Sequence, residues 1–144
     1  METKFNSQIC TSKEQSERLL ALGLKKETAD MWYPHFAPSF PIPLTEDDYV
    51  RELNDDGDVP AWSLHRILYL LPKYIRVRKE SFGRFRWTTL ELTIDAEFVV
   101  WYREDIDNPE VDENFYAEDI YTSFCDCIEW LIKEGHFNKE YLEE

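Results

Sequence analysis

The chain has 144 residues, 43% apolar and 15% aromatic, and a net charge of −14. This apolar content can form a buried core, which excludes a disordered chain, and the length fits one domain over residues 1–144. The apolar runs are too short to cross a bilayer, and the first residues lack the apolar stretch of a secretion signal. The three cysteines, an odd number, fit a reducing compartment, so the sequence predicts a cytoplasmic protein without a disulfide framework and without membrane association.

The first predicted helix covers residues 12–22. Ser12 is a favourable N-cap, and Gln15 three residues later completes a capping box. Gly23 suits the left-handed position that follows a helix. Residues 34–45 contain four prolines, which disfavour both a regular helix and a central strand, so we expect an ordered loop there.

Two further helices are predicted before the strands begin. Thr45 caps a short helix over residues 46–53, with acidic side chains in its first turn, where the helix dipole favours them. Ser63 caps the next helix, which Pro72 ends. Its apolar residues follow the spacing of one buried helix face, and they are Leu64, Ile67, Leu68 and Leu71.

After Pro72 the apolar period changes from 3.6 residues to 2. This alternation predicts three strands of an antiparallel meander, over residues 74–78, 84–94 and 97–103. Within the second strand, Phe85 and Trp87 occupy odd positions, whereas the aliphatic residues from Leu90 onward occupy even positions. This shift predicts a bulge near residues 88–89.

The last predicted element is a long helix that runs to about Glu134 and ends before Gly135. Either Asp112 or Asn114 is its predicted cap. The order of helices, strand meander and helix predicts an α+β fold. We expect a small antiparallel sheet of about three strands, packed by the N-terminal helices and by the long C-terminal helix.

Several kinds of chemistry have no signature in the sequence. The four glycines are too widely spaced for a phosphate-binding loop, and no nucleophile elbow is present. Cys125 and Cys127 are two residues apart on a predicted helix, so their side chains point roughly 200° apart and do not share one ion easily. We therefore predict no catalytic residue, no metal site and no cofactor.

Charge is distributed unevenly along the chain. Residues 104–144 contain 14 acids and 2 bases, whereas residues 73–86 contain six bases and one acid. A candidate basic face consists of Arg76, Arg78, Arg84 and Arg86. Arginines interleaved with aromatic side chains on a sheet can bind single-stranded nucleic acid, although the overall charge repels polyphosphates and makes nucleic acid an unlikely partner. Conversely, acids on the last helix, among them Glu118, Asp126 and Glu129, could imitate a phosphate backbone and inhibit a DNA-binding protein.

A candidate protein-contact surface lies around the proline-rich loop. It consists of Trp32, Tyr33, Phe36 and Phe40. Aromatic side chains anchor many protein interfaces, but these four could also complete the core at one end of the domain. The leading functional prediction is a non-enzymatic protein-interaction module with a protein partner. The nucleic-acid roles are the first alternative and an enzyme of unrecognised type is the second, and the oligomeric state is left open.

Two segments of the chain also resemble known proteins. One contains Thr-Ser-x-Glu-Gln-Ser at 11–16, Leu-Leu-x-Leu-Gly-Leu at 19–24 and Thr-Ala-Asp-Met at 28–31; the other contains Pro-Ala-Trp-Ser-Leu at 60–64 and Leu-Leu-Pro at 70–72. Together with residues 128–135, they resemble a group of small uncharacterised proteins from gut anaerobic bacteria, their phages and integrated mobile elements. The resemblance implies a cytoplasmic bacterial or phage accessory protein. That group has no established activity, so no functional residue is carried over.

Overall fold

A computed structural model of the protein describes residues 8–44, 57–81, 83–104 and 112–144. The predicted helix over residues 46–53 lies outside these ranges. Contacts divide the chain into two compact units, Met1–Leu70 with Lys139–Glu144, and Leu71–Asn138. Such a division does not decide whether either unit folds alone, so the single domain stays a prediction.

The described part of the first unit combines two α-helices with a small antiparallel sheet. Its elements are α1 (Lys13–Ala21), β1 (Met31–Tyr33), β2 (Ile42–Pro43), β3 (Val59–Ala61) and α2 (Leu64–Leu70), with 3₁₀ turns at Lys26–Thr28 and Lys139–Tyr141. The strand order is β2-β1-β3. Pro43 lies in an edge strand, where its missing N–H removes no ladder bond.

Local capping explains both helices of the first unit. The Ser12 hydroxyl accepts a hydrogen bond from the Gln15 N–H at 3.1 Å, and the Gln15 side chain accepts one from the Ser12 N–H at 2.8 Å. Gly23 follows with φ +103°, so the predicted first helix and its end are confirmed. The Ser63 hydroxyl accepts from the Arg66 N–H at 3.1 Å, which confirms the cap of α2.

A hydrogen-bond network around one buried tryptophan holds the first unit together. Trp62 is fully buried, its N–H donates to the Thr11 hydroxyl at 3.0 Å, and its indole N–H donates to the Thr28 hydroxyl at 2.9 Å. The Asp30 carboxylate accepts from the Ser63 N–H at 2.8 Å. Since these five residues all belong to the segments that carry the sequence resemblance, those segments have a structural role in this unit.

In the second unit, the described residues form a four-stranded antiparallel meander with one helix packed on it. The strands are β4 (Tyr74–Ser81), β5 (Arg84–Ile94), β6 (Val99–Arg103) and β7 (Asp112–Tyr116), in the order β4-β5-β6-β7. Helix α3 (Ile120–Lys133) contacts β6 and β7. The α+β class is therefore confirmed, but the predicted single sheet of about three strands is wrong, since the described chain forms one sheet of three strands and one of four.

The start of the last helix also differs from the prediction. Asp112 and Asn114 lie in β7, and the N-cap is Asp119, whose carboxylate accepts from the Thr122 N–H at 3.0 Å. Phe115 explains the strand, because it pairs with Val100 and packs 5.7 Å from the Trp130 ring, between centroids. In the sequence, one inward-packing aromatic residue within an otherwise polar segment does not distinguish a strand from a loop.

The predicted bulge in β5 is absent. Strands β4 and β5 pair without interruption from Tyr74 opposite Glu91 to Ser81 opposite Arg84. In an unbroken strand, odd and even positions face opposite sides of the sheet. Phe85 and Trp87 therefore lie on the face opposite to the buried Leu90.

Candidate functional site

The unbroken β4–β5 ladder gathers cationic and aromatic side chains on one exposed surface. Its members, called here the arginine–aromatic face, are Tyr74, Arg76, Arg78, Phe85 and Trp87. Arg78 of β4 lies directly opposite Trp87 of β5, so the side chains that the two strands contribute to this face point to the same side of the sheet. The three aromatic side chains are 62%, 56% and 61% exposed for Tyr74, Phe85 and Trp87. Large exposed aromatic groups in one patch are typical of binding surfaces.

Each arginine of this face lies over an aromatic ring. The guanidinium carbon of Arg78 is 3.7 Å from the centroid of the Phe85 ring, and that of Arg76 is 5.4 Å from the centroid of Trp87. Exposed cation–π contacts of this kind contribute about 0.5–1 kcal/mol each. Neither arginine forms an ion pair with a carboxylate among the described residues. Their guanidinium groups are thus held by the rings and can still donate hydrogen bonds to a partner.

The other two predicted arginines lie elsewhere. Arg86 pairs with Lys79, which places it on the opposite side of β5, and its guanidinium nitrogen is 3.6 Å from Glu104 Oε1. Glu104 is buried, so Arg86 partly compensates a carboxylate within the second unit. Arg84 pairs with Ser81 at the end of the ladder and has the same parity as Arg86. Of the four arginines in the predicted basic face, the structure brings only Arg76 and Arg78 together with the aromatic residues.

The predicted contact surface around the proline-rich loop is divided in the same way. Trp32 is 2% exposed and belongs to the interior of the first unit, whereas Tyr33 is partly buried and its hydroxyl donates to the Thr11 carbonyl at 2.9 Å. Phe36 and Phe40 are 68% and 72% exposed. A protein-contact role for these two remains a prediction.

A histidine–carboxylate pair braces the same loop. The backbone N–H and the Nδ1 atom of His35 are each 2.8 Å from Asp58 Oδ1, and the Asp58 side chain is fully buried. Gly57 has φ +94°, and a Cβ there would lie 3.2 Å from the His35 Cβ. The pair therefore has a sufficient structural explanation as a clamp between the loop and the start of β3.

A cleft of about 440 Å³ adjoins the arginine–aromatic face in the second unit. Residues from three strands and from the end of α3 line it. The lining includes Arg76 and Arg78 of β4, Leu90 of β5, Glu113 of β7, and Trp130 and Glu134 at the end of α3. Its volume lies within the range of known ligand sites.

Aromatic packing fixes one side of this cleft. The Trp130 ring lies 5.7 Å from Phe115, 5.5 Å from His136 and 6.3 Å from Tyr102, measured between ring centroids. Tyr102 is itself held by its hydroxyl, which donates to the Pro72 carbonyl at 2.6 Å. Trp130 is thus positioned by packing, and it is partly buried where it lines the cleft.

The cysteines do not form a reactive centre. Cys10, Cys125 and Cys127 are buried and form no disulfide. Burial raises the pKa of the Cys10 thiol and, more strongly, that of the Cys127 thiol. A raised pKa keeps a thiol protonated and unreactive at neutral pH.

Comparisons with known proteins identify no relative of this chain. No protein family matches it, and neither a curated protein nor a solved structure does. Among the described residues, there is no group of three or more metal-ligating side chains that could hold an ion. In the same part of the chain, no helix is both long and apolar enough to cross a bilayer.

Proposed function

We propose that this protein is a non-enzymatic protein-interaction module that binds its partner through the arginine–aromatic face. The observation that carries the proposal is the exposure of Tyr74, Phe85 and Trp87 on one side of an ordered ladder, with Arg76 and Arg78 over two of the rings. Tryptophan, tyrosine and arginine are the residues most often responsible for binding energy at protein interfaces. A folded protein that leaves three large aromatic side chains on one open patch has a surface that a partner can bury.

The charge of the chain favours a protein partner over a nucleic acid. The net charge of −14 repels polyphosphates at long range. Residues 73–91 contain six bases and two acids, so this hairpin carries a net positive charge within an acidic chain. A local basic patch on an acidic protein suits a protein surface with a few carboxylates better than a continuous phosphate backbone.

Single-stranded nucleic acid is the second candidate for the same face. One observation favours it, namely that exposed aromatic rings and arginines lie side by side on a four-stranded antiparallel sheet. Unpaired bases stack on such rings, and arginines contact the phosphates. Inhibition of a DNA-binding protein by acids of the last helix stays a prediction. Of the three acids named for it, Glu118 precedes the N-cap Asp119 and does not lie on α3.

The sequence resemblance supplies the proposed setting. It supports a cytoplasmic accessory protein of a bacterial mobile element or phage. Such a setting is compatible with a small chain that acts by binding another protein, and it directs the search for partners to bacterial host lysate.

A capture experiment with matched variants tests the proposed function. Tagged wild-type protein and Trp87→Ala are exposed to bacterial host lysate at low and high salt, and retained proteins are identified by mass spectrometry. Tyr69→Ala is the control, because Tyr69 is 68% exposed and carries an arginine 5.6 Å from its ring, but it lies on α2. We expect one protein to be retained by wild type and Tyr69→Ala at both salt concentrations, and to be lost with Trp87→Ala. A partner retained equally by all three proteins would refute the assignment of the face.

A second assay separates the two candidates. Anisotropy of a labelled 20-nucleotide oligo(dT) is measured with wild type and Arg78→Ala between about 50 and 300 mM salt. We expect no saturable binding. Binding that weakens steeply with salt and is lost in Arg78→Ala would identify a single-strand binding protein instead.

A further inference from the structure

The strand register divides the charged residues around the cleft between the two faces of the sheet. Arg76 and Arg78 belong to the arginine–aromatic face, and their guanidinium groups are held over its rings. Glu113 lies on the other face, together with the buried Leu90, as the pairing of β5 with β6 and of β6 with β7 shows. A molecule bound on the Glu113 side of the cleft therefore contacts carboxylates rather than the two guanidinium groups.

The Glu113 side of the cleft is built around the indole ring of Trp130. Tyr102, directly opposite Glu113 in the ladder, packs 6.3 Å from this ring, between centroids. Phe115, the next residue on the same side of β7, packs 5.7 Å from it. Both neighbours of Glu113 thus contact Trp130, which places Glu113 at the rim of this aromatic cluster, where it and the partly buried indole line the cleft together.

The end of α3 adds a second carboxylate to the same side. Glu134 follows Trp130 by four residues, so the two side chains are neighbours on one helix face, and both line the cleft. Neither Glu113 nor Glu134 forms an ion pair with another described residue, and both are exposed. The helix also ends here, and the C-terminus of a helix carries a partial negative charge. An indole ring, two unpaired carboxylates and a negative helix end all favour a cation.

We infer that this side of the cleft binds an organic cation, namely an ammonium or guanidinium group on an aliphatic stem. The cationic group contacts the indole ring of Trp130 and pairs with Glu113 or Glu134. The stem lies against the apolar part of the lining, which includes Val77 and Leu90. A free amine and a basic side chain of another protein share this chemistry. The site lies on the face opposite to the arginine–aromatic face, so the inference goes beyond the proposed function and does not depend on it.

The test follows the indole N–H signal of Trp130 by NMR while isotope-labelled protein is titrated with small probes of similar size and different charge. The probes are n-butylammonium, n-butanol and butyrate. We expect a saturable shift with n-butylammonium alone, and a dissociation constant in the millimolar range, because exposed ion pairs and cation–π contacts are weak. Glu113→Gln/Glu134→Gln is expected to weaken this binding about fivefold. Glu118→Gln, an exposed glutamate outside the cleft lining, is the control.

A further probe distinguishes the two sources of the cation. Nα-acetyl-lysine N-methylamide carries the same ammonium group on a blocked backbone. If it binds as tightly as n-butylammonium, the site accepts a lysine side chain of another protein. If it binds more weakly, the backbone does not fit and the cation is a free amine.

Four outcomes would overturn the inference. The first is that n-butylammonium does not shift the Trp130 signal at millimolar concentration. The second is an equal shift with n-butanol, which would make the cleft an apolar site. The third is tighter binding of butyrate, which would assign the cleft to the guanidinium groups of Arg76 and Arg78. The fourth is unchanged binding by Glu113→Gln/Glu134→Gln, with an unchanged thermal unfolding temperature to show that it is folded. Each of these leaves the capture of a protein partner by the arginine–aromatic face intact.

Discussion

The N-cap of α3 provides a direct test of the fold around the candidate site. One carboxylate oxygen of Asp119 accepts from the Thr122 N–H at 3.0 Å, and the other accepts from the Thr122 hydroxyl at 2.8 Å. Asp119→Ala removes the cap, which contributes about 1 kcal/mol in typical helices. It also removes a negative charge from the helix N-terminus, which contributes about 0.3–1 kcal/mol. We therefore expect the free energy of unfolding to fall by about 1–2 kcal/mol.

Urea unfolding followed by circular dichroism at 222 nm measures this loss. Asn114→Ala is the matched control, because the sequence makes Asn114 an alternative cap, whereas the structure places it in β7 with an exposed side chain. A surface substitution of that kind is expected to change the free energy of unfolding by about 0.5 kcal/mol or less. If Asn114→Ala cost more than Asp119→Ala, the helix would begin earlier than Ile120 and the assignment of β7 would be wrong.

Three further expectations concern buried groups. Because Cys10, Cys125 and Cys127 are all buried and form no disulfide, Ellman's reagent should label none of them in the native protein and all three in urea. Burial raises the pKa of the Cys127 thiol above its ordinary 9.0, so the unfolded chain loses that proton first and the free energy of unfolding falls as pH rises. Between pH 8 and 10.5, the free energy of unfolding from urea titrations should fall by about 2 kcal/mol more for wild type than for Cys127→Ala. Equal losses in the two proteins would contradict this expectation. Tyr102→Phe leaves the Pro72 carbonyl without its 2.6 Å donor and should cost about 1–3 kcal/mol by the same assay, whereas a cost near zero would mean that this bond adds nothing.

The sequence was most informative where the signal is local. The capping box at Ser12 and the cap at Ser63 each depend on residues within a few positions, and both helices form where they were predicted. The predicted buried face of α2 is only partly correct, because Ile67 and Leu71 are buried, whereas Leu64 and Leu68 are each 38% exposed. The alternation after Pro72 likewise identified strands β4, β5 and β6. Strand β7 was not predicted, because Phe115 is its only apolar anchor and indicates a strand only when Val100 is known to lie opposite it.

The candidate site was only partly predictable for a similar reason. Arg76 and Arg78 share a face because they are two residues apart on one strand, and the sequence showed this. The relation of Arg84 and Arg86 to that face depends on the β4–β5 register, which places Arg86 opposite Lys79. The opposite parity of Phe85 and Leu90 was the available signal. It was interpreted as a bulge, whereas in the unbroken strand it places Phe85 on the face opposite to Leu90.

The cleft had no sequence signal of its own. Glu113, Trp130 and Glu134 are separated along the chain and meet only because α3 packs on β6 and β7. Acidic residues are common throughout the last 41 positions, with 14 among residues 104–144. Composition alone therefore could not distinguish the two glutamates that line the cleft from those in solvent.

The most direct test of the central claim is the affinity of the captured partner for wild type and for Arg78→Ala/Trp87→Ala, measured by isothermal titration calorimetry with purified proteins. The double variant removes one arginine and one exposed ring of the arginine–aromatic face. If these residues anchor the interface, the dissociation constant should rise about 30-fold or more, which corresponds to roughly 2 kcal/mol. Arg66→Ala/Tyr69→Ala, which removes the equivalent pair on α2, should bind as wild type does. An Arg78→Ala/Trp87→Ala protein that is folded and binds within twofold of wild type would contradict the account.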